Sequence, residues 1–247
     1  MNRQLVGKAV LGAELGVILP TYREEENISN LIDDIESLKL KTNILVIDDS
    51  SPDRTAEIVR AKQSKYGNIL LLVRSKKSGL GTAITDGFNV FLNLKSPPKY
   101  VITMDADYSH NPKAIPQLVS TMRQTDCGIV VGSRYIKGGA IANWPFTRKI
   151  ISRGANLLAR FALSLKPHDC TSGFRCYSTR YLSASISNFH SHTYEIQIET
   201  IRQAHLKNFS VKETPILFIN RKSGKSKLSR TEIQSYLGYT LKAISRS

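Results

Sequence analysis

The sequence predicts an α/β fold with a mostly parallel central sheet, helices on both of its faces and an amphipathic helix at the C-terminus. Three observations carry that prediction. Apolar runs of strand length alternate with helical periodicity through the first half of the chain. Three polar motifs follow directly on such runs. No apolar run approaches the roughly 20 residues needed to span a bilayer. Parallel sheets of this kind are covered on both faces, and their ligands bind beyond the C-terminal strand ends.

Leu15–Pro20 (LGVILP) reads as the first buried strand, and a helix follows with Ile28, Leu31, Ile32, Ile35 and Leu38 at helical spacing. Ile44–Ile47 is the next strand, followed by a turn and a helix opened by Ser51 with Pro52 at its first position. The strand Ile69–Val73 precedes a loop with Gly79 and Gly81 and a helix from about Thr82. Tyr100–Met104 is a strand, a helix begins near Pro112, and Ile129–Gly132 is a further strand. The second half is less regular. Arg148–Leu165 is helical, with Ile150, Ile151, Leu157, Leu158, Phe161 and Leu165 on one broad face. Phe174–Tyr177 and Ile216–Asn220 read as short strands around a helix from about Tyr194. The last helix places Ile233, Tyr236, Leu237, Leu241 and Ile244 along one stripe, and no Pro/Gly linker divides the chain.

A chain of 247 residues, 41% of them hydrophobic, suits one large α/β domain with a full core. Lys and Arg number 35 against 20 acidic residues, a net charge of +15. That balance predicts attraction to polyanions, whether phosphates, nucleic acid or an anionic lipid surface. Neither an aromatic RNA-binding motif nor a helix-turn-helix is visible, which counts against a nucleic-acid-binding module. No GxGxxG follows the first strand, which counts against a dinucleotide-dependent oxidoreductase. Cys127, Cys170 and Cys176 form no CxxC pair and leave an odd thiol, arguing for a reducing compartment and against a disulfide scaffold or zinc site. The opening segment carries Arg3 and Lys8 but is interrupted by Glu14 and is not read as a signal peptide.

The sharpest local signal is Asp105-Ala106-Asp107, directly after an apolar strand. Two carboxylates one residue apart can face one crevice, one meeting a divalent cation and the other a sugar or ribose hydroxyl. Mg²⁺ and Mn²⁺ prefer oxygen ligands and share them with substrate phosphates. Taken alone, such a pair is more often a solvated turn. Asp48-Asp49 closes the second strand; Ser51 and Asp53 fit an ordinary helix cap, whereas Asp48 has better reason to meet a base or ribose. After the first strand, Tyr22 can lie against a flat base while Glu24 accepts a hydrogen bond, and a helix start with acidic residues accounts for the same pattern equally well. Arg148 and Ser152, four apart on one helical face, can hold a phosphate together with Arg134. Trp144 and Phe146 either touch lipid or an acceptor chain, or pack under a loop. The five histidines are scattered and make no metal site.

In series, LPTYREEENI, VIDDSSPDRT, KSGLGTAITDGF, MDADYSHNP, VGSRY, RKIISRGANLLAR, DCTSGFRCY and INRKSGKSKL resemble family 2 glycosyltransferases with the GT-A nucleotide-sugar-binding fold. More narrowly, they are similar to the catalytic subunits of dolichol-phosphate mannose synthases, from Leu15 to about Ile244. The resemblance implies a nucleotide-sugar-binding half at about 15–135 and an acceptor-binding, membrane-facing half at about 136–247. It implies that Pro20, Tyr22, Glu24, Val46 and Asp48 bind the guanosine nucleotide and that Asp105, Ala106 and Asp107 lie at the donor. Asp107 and Ser109 would stand near Mg²⁺ or Mn²⁺, and Arg134, Arg221 and Lys227 would contact donor phosphates. Asp107 and Arg134 are the residues expected at the reaction itself. Arg23 and Glu25 depart from the more usual Asn and Arg, and Ser50 and Arg54 stand where glycines are common, which stiffens that turn without removing a ligand.

The implied reaction is inverting transfer of mannose from GDP-mannose to dolichyl or another polyprenyl phosphate, in the service of protein glycosylation. UDP-glucose as donor is the nearest alternative. The expected setting is peripheral, on the cytoplasmic face of a membrane (endoplasmic reticulum in a eukaryote, plasma membrane in a prokaryote), bound in a salt-sensitive way without insertion. Some relatives carry C-terminal transmembrane helices that are not seen here, so a small membrane-anchoring subunit is a candidate partner.

Overall fold

The computed structural model of the protein describes residues 4–220 and 238–240. Its centre is an eight-stranded sheet. Strands β1 (Gln4–Gly7), β2 (Leu15–Thr21), β3 (Thr42–Asp48) and β4 (Ile69–Val73) form one half. Strands β5 (Tyr100–Thr103) and β6 (Ile129–Ser133) continue it, and β7 (Ala140–Ala142) lies outside it. Then come β8 (Arg175–Ser178), β9 (Val211–Pro215) and β10 (Leu217–Ile219). The spatial order is β1-β4-β3-β2-β5-β8-β6-β9, with β7 and β10 paired as a separate parallel ribbon. β1 and β8 run antiparallel to their neighbours, and the remaining pairs of the large sheet are parallel.

Helices α1 (Ile28–Ser37), α2 (Thr55–Lys65), α3 (Leu80–Leu92), α4 (Ile115–Thr125), α5 (Phe146–Ala162), α6 (Thr179–Ser185) and α7 (Ile196–Leu206) surround the sheet. The period of two along each strand divides the core in two. Val17, Leu19, Ile44, Val46, Ile69 and Leu71 pack with α1, α2 and α4, while Ile18, Leu45, Ile47, Leu70 and Leu72 pack with α3, α6 and α7. Strands buried on both faces have no polar side, which is why these runs read as continuously apolar.

The chain lays down β2, β3 and β4 outward in one direction and then returns to place β5 on the other side of β2. That reversal opens a crevice beyond the ends of β2 and β5. Each of the three strand ends nearest it is followed by a non-glycine residue in the left-handed region: Arg23 (φ 60°), Ser50 (φ 52°) and Tyr108 (φ 58°). Such backbone is sparsely populated for side-chain-bearing residues and marks sharply turned loops. Ser50 thus occupies a conformation that suits glycine, and its hydroxyl donates to the Arg74 carbonyl.

The expected helix opening at Ser51 is corrected to Thr55. Ser51 is held in the preceding turn, where its N–H and hydroxyl donate to the Asp48 carboxylate at 2.9 and 2.6 Å. The helix expected over Arg148–Leu165 is α5, two residues earlier at its start, and Leu165 lies beyond it, buried in the core. The stripe expected on the last helix falls outside the described residues, as do Arg221 and Lys227. No described helix is long and apolar enough to cross a membrane.

Candidate active site

A cavity of about 300 Å³ opens beside the end of β5. It brings together Asp105, Arg134, Arg148 and Ser152, residues up to 47 positions apart in sequence, with His110, Trp144 and Phe218 in the same wall. The strand end supplies Asp105, β6 delivers Arg134, α5 supplies Arg148 and Ser152, and the small β7–β10 ribbon lays Phe218 and Trp144 across the opening.

Arg134 is 7% exposed and its guanidinium meets Asp169 twice, Nε to Oδ2 and Nη2 to Oδ1, each at 2.7 Å. The Arg134 backbone N–H donates to the same carboxylate, and Nη2 also reaches Thr171 Oγ1 at 2.7 Å. Burial by itself pushes the Asp169 carboxyl up, but the charge and hydrogen bonds of Arg134 outweigh it and hold the group below the ordinary carboxylate range. The guanidinium lies 5.3–5.5 Å from the ring centres of Tyr135, Trp144 and Phe218. Arg134 is therefore a neutralised, rigidly oriented group, and among the described residues only its Nη1 edge has no hydrogen-bond partner.

Arg148 lies over the Trp144 ring, 4.1 Å from its centre, and donates to Asn220 Oδ1 at 3.0 Å. Ser152 Oγ accepts from Tyr135 Oη at 2.8 Å, which leaves the serine proton to be donated. Trp144 is buried while Phe146 is 74% exposed, so the two aromatic residues considered together in sequence have different surroundings. His110, passed over in sequence, is buried between Phe174 and Phe218. Its Nδ1 accepts from the Asp105 backbone N–H at 3.1 Å, and burial lowers its pKa, keeping the ring neutral. It thereby fixes the peptide that carries Asp105.

Asp107 is 8% exposed and accepts from the Ser109 N–H at 3.1 Å. Ser109 Oγ is buried with no hydrogen-bond partner among the described residues. The described residues contain no group of three or more acidic, His or Cys side chains able to hold a metal ion. A divalent cation here would have Asp107 and the orphaned Ser109 hydroxyl on the protein side and take its remaining oxygens from a ligand's phosphates and water. This sharing is the usual habit of Mg²⁺ and Mn²⁺, and the residues fit it. Ala106 packs in the core.

The nucleotide residues expected from sequence are distributed less evenly. Pro20 and Glu24 line the end of β2, where Glu24 is 6% exposed and accepts from Asn27 Nδ2 at 3.0 Å. The Tyr22 ring has Lys77 Nζ 4.4 Å from its centre and the Arg23 guanidinium 5.5 Å away. Asp48 is 1% exposed, and its carboxylate is engaged by Thr21 and Ser51. Val46 is fully buried in β3 among core residues, two positions before Asp48. Sequence reasoning missed the partner of the first turn's neighbour as well. Asp49 pairs with the buried Arg74, which also reaches Asp86 and Thr82 and ties the strand ends to α3. Gly79 and Gly81 serve packing, since a Cβ on either would stand 2.2 or 2.4 Å from the carbonyl oxygens of His192 and Ser191.

The switch-point crevice, the strand-end carboxylates and the basic side chains of the cavity wall agree with a GT-A type glycosyltransferase. The chain belongs to glycosyl transferase family 2, whose pattern its residues 16–185 match. It is 34% identical over 220 residues to polyprenol monophosphomannose synthase of Mycolicibacterium smegmatis, covering 88% of this chain and 82% of that one. It is 36% identical over 214 residues to undecaprenyl-phosphate mannosyltransferase of Micrococcus luteus, covering 86% of each. Among solved structures it resembles glucosyl-3-phosphoglycerate synthase of Mycobacterium tuberculosis bound to Mn²⁺, UDP and glucosyl-3-phosphoglycerate, with a TM-score of 0.68 at 18% identity over 95% of this chain and 81% of that one. A mannosyltransferase of Pyrobaculum calidifontis in complex with GDP-Man and Mn²⁺ matches with a TM-score of 0.61 at 12% identity, over 93% and 64% of the two chains. At those identities the two structures speak for the fold alone.

Proposed function

We propose that the protein transfers mannose from GDP-mannose to a polyprenyl phosphate such as dolichyl phosphate, with inversion at the anomeric carbon. The observation that carries this reading is the cavity lined by Asp105, Arg134, Arg148 and Ser152 beside the amphipathic helix α5. The names of the two curated relatives support the lipid acceptor and the sugar. An acceptor phosphate is already anionic at neutral pH, so its oxygen attacks the anomeric carbon without a strong general base. The bond from that carbon to the diphosphate breaks, and GDP leaves with the electron pair. Arg148, the Nη1 edge of Arg134 and the Ser152 hydroxyl hold the acceptor phosphate. Asp107 and Ser109 hold Mg²⁺ or Mn²⁺, which when bound offsets charge on the leaving diphosphate. Pro20, Tyr22, Glu24 and Asp48 form the nucleotide end, with Arg221 and Lys227 as further phosphate contacts.

The direct test incubates the protein with labelled GDP-mannose, GDP-glucose or UDP-glucose, dolichyl phosphate and Mg²⁺, and follows label into lipid. Label from GDP-mannose is the expected result. Label from UDP-glucose alone moves the assignment to a polyprenyl-phosphate glucosyltransferase, and no label from any donor removes it. Arg148→Ala should raise KM for dolichyl phosphate about tenfold or more, the worth of one charge-assisted phosphate contact, with donor KM within about twofold. A larger effect on the donor would place Arg148 on the wrong substrate.

The same helix gives the reading its place. In α5 only Asn156 and Ala159 are buried, while Phe146, Ile150, Leu157, Leu158 and Phe161 are 40–80% exposed. An amphipathic helix with that apolar face and with Arg148, Lys149, Arg153 and Arg160 beside it lies in a membrane interface. Each basic side chain near an anionic surface contributes about 1 kcal/mol, screened by salt, whereas each large apolar side chain taken from water contributes about 1.5–3 kcal/mol, which salt does not screen. The attachment we propose therefore has a salt-sensitive part and a salt-resistant part. The protein should float with vesicles containing anionic lipid at low salt and in part at high salt. The Ile150→Asp/Phe161→Asp variant should lose the salt-resistant fraction, and unchanged flotation of that variant would remove α5 as the docking element.

A further inference from the structure

Two arginines stand in the cavity wall, and they are held in different ways. The Asp169 carboxylate takes up Nε and Nη2 of Arg134 and offsets its charge. Arg148 instead has its guanidinium carbon 4.1 Å from the centre of the Trp144 ring, and its Nη1 donates to Asn220 Oδ1. An aromatic face attracts a cation through its quadrupole, and an indole does so most strongly. The N–H donors of a guanidinium all lie in its plane, so contact with its flat face consumes none of them. A carboxylate in the same place would occupy the fork and compete with a phosphate for it.

The ring takes its place from the β7–β10 ribbon. Trp144 follows β7 by two residues, and Pro145 after it disfavours helical backbone there. The side chain is 8% exposed and meets Phe218 of β10 edge to face, with ring centres 5.3 Å apart at 72°. Asn220 directly follows β10, and its N–H donates to the carbonyl of Ala142, the last residue of β7. Trp144 and Asn220 thus come from the same end of one parallel ribbon and meet Arg148 in the first turn of α5. A long side chain ordered in advance does not lose its rotamer freedom again when a ligand arrives.

We infer that Trp144 is a positioning residue, whose ring pre-orders the Arg148 guanidinium for the acceptor's phosphate without drawing on its in-plane donors. This rests on the acceptor reading of Arg148 given above and adds to it the group that holds the arginine.

Trp144 is the only tryptophan of the chain, so growth on a fluorinated tryptophan alters this ring and no other. Fluorine draws electron density from the ring face and weakens its hold on a cation while nearly keeping its shape. The experiment measures KM for dolichyl phosphate and for GDP-mannose in wild type, in protein carrying monofluoro- or difluorotryptophan, and in Trp144→Phe, Trp144→Leu and Arg148→Ala. The Arg148→Ala variant is also made with difluorotryptophan. KM for dolichyl phosphate should rise stepwise with fluorine, to roughly threefold with the difluoro ring and fivefold with Trp144→Leu. Trp144→Phe should fall between wild type and Trp144→Leu, and KM for GDP-mannose should stay within about twofold throughout. Without Arg148 the difluoro ring should have no further effect, because the two groups act as one unit.

A flat response to fluorine, with Arg148→Ala still damaging, overturns the inference and leaves the acceptor reading standing. An equal rise in both KM values, or a fluorine effect that persists without Arg148, makes the ring merely structural and overturns it as well. If Arg148→Ala itself leaves the acceptor KM unchanged, the acceptor reading falls and the inference with it. Should Trp144→Leu not fold, the fluorinated proteins decide the question alone.

Discussion

Asp107→Ala is expected to lose sugar transfer on the order of a thousandfold or more, because under the proposed function it removes the charged side chain that would hold the cation offsetting the diphosphate's charge. Its thermal midpoint should stay within a few degrees of wild type. Asp107 lies within the loop that follows β5, and the bond it accepts from the Ser109 N–H is worth about 1 kcal/mol. Two readouts check this: labelled transfer, and the dependence of GDP binding on Mg²⁺ or Mn²⁺. Turnover within about tenfold of wild type, with metal dependence intact, would end the assignment of Asp107 to the metal.

The second large effect falls on stability. Asp169→Ala leaves the Arg134 guanidinium buried without its counter-charge, and removing one partner of such a pair costs about 3–5 kcal/mol. For a chain of this size that corresponds to a fall in Tm on the order of 10 °C. The effect also has a pH signature. Asp169 has its pKa lowered in the folded protein, so the pair contributes stability above the unfolded carboxylate value of about 3.9 and loses it as pH falls through the folded value. The gap between wild type and Asp169→Ala should be constant from about pH 6 to 8 and shrink below about pH 4. A gap that instead grows toward acid would mean the pair is not ionised as described. Asp169→Asn, which keeps the acceptor but not the charge, should fall between the two.

The sheet was legible because β2 through β6 are apolar on both faces, a pattern that few other structures share. The strand-end motifs were legible for a related reason: a polar residue directly after such a run has nowhere to go but the crevice. β9 was not visible, since Val-Lys-Glu-Thr-Pro has the charges and the proline of an edge strand rather than the look of a core one. Asp169 opens the quoted motif DCTSGFRCY, but its pairing role was not legible, because a lone Asp shows no periodicity and what distinguishes it is burial. The apolar stripe of α5 was legible as a stripe except for Leu165, which lies beyond the helix in the core. Which side of it meets protein is set by Tyr135, Thr171 and Asn220, which bond to Ser152, Asn156 and Arg148 from distant segments.

α5 has one further consequence. The helix that presents Phe146, Ile150 and Phe161 to its surroundings also carries Arg148 and Ser152 into the cavity wall. Under the proposed function, attachment and acceptor capture are then a single geometry, and the enzyme meets its lipid in a plane. Its rate would follow the mole fraction of polyprenyl phosphate in the surface to which it is attached, and diluting that lipid with neutral phospholipid would slow turnover even at constant bulk concentration. Successive acceptors would be reached by lateral diffusion without release from the bilayer, so many turnovers could take place in one residence on a single vesicle.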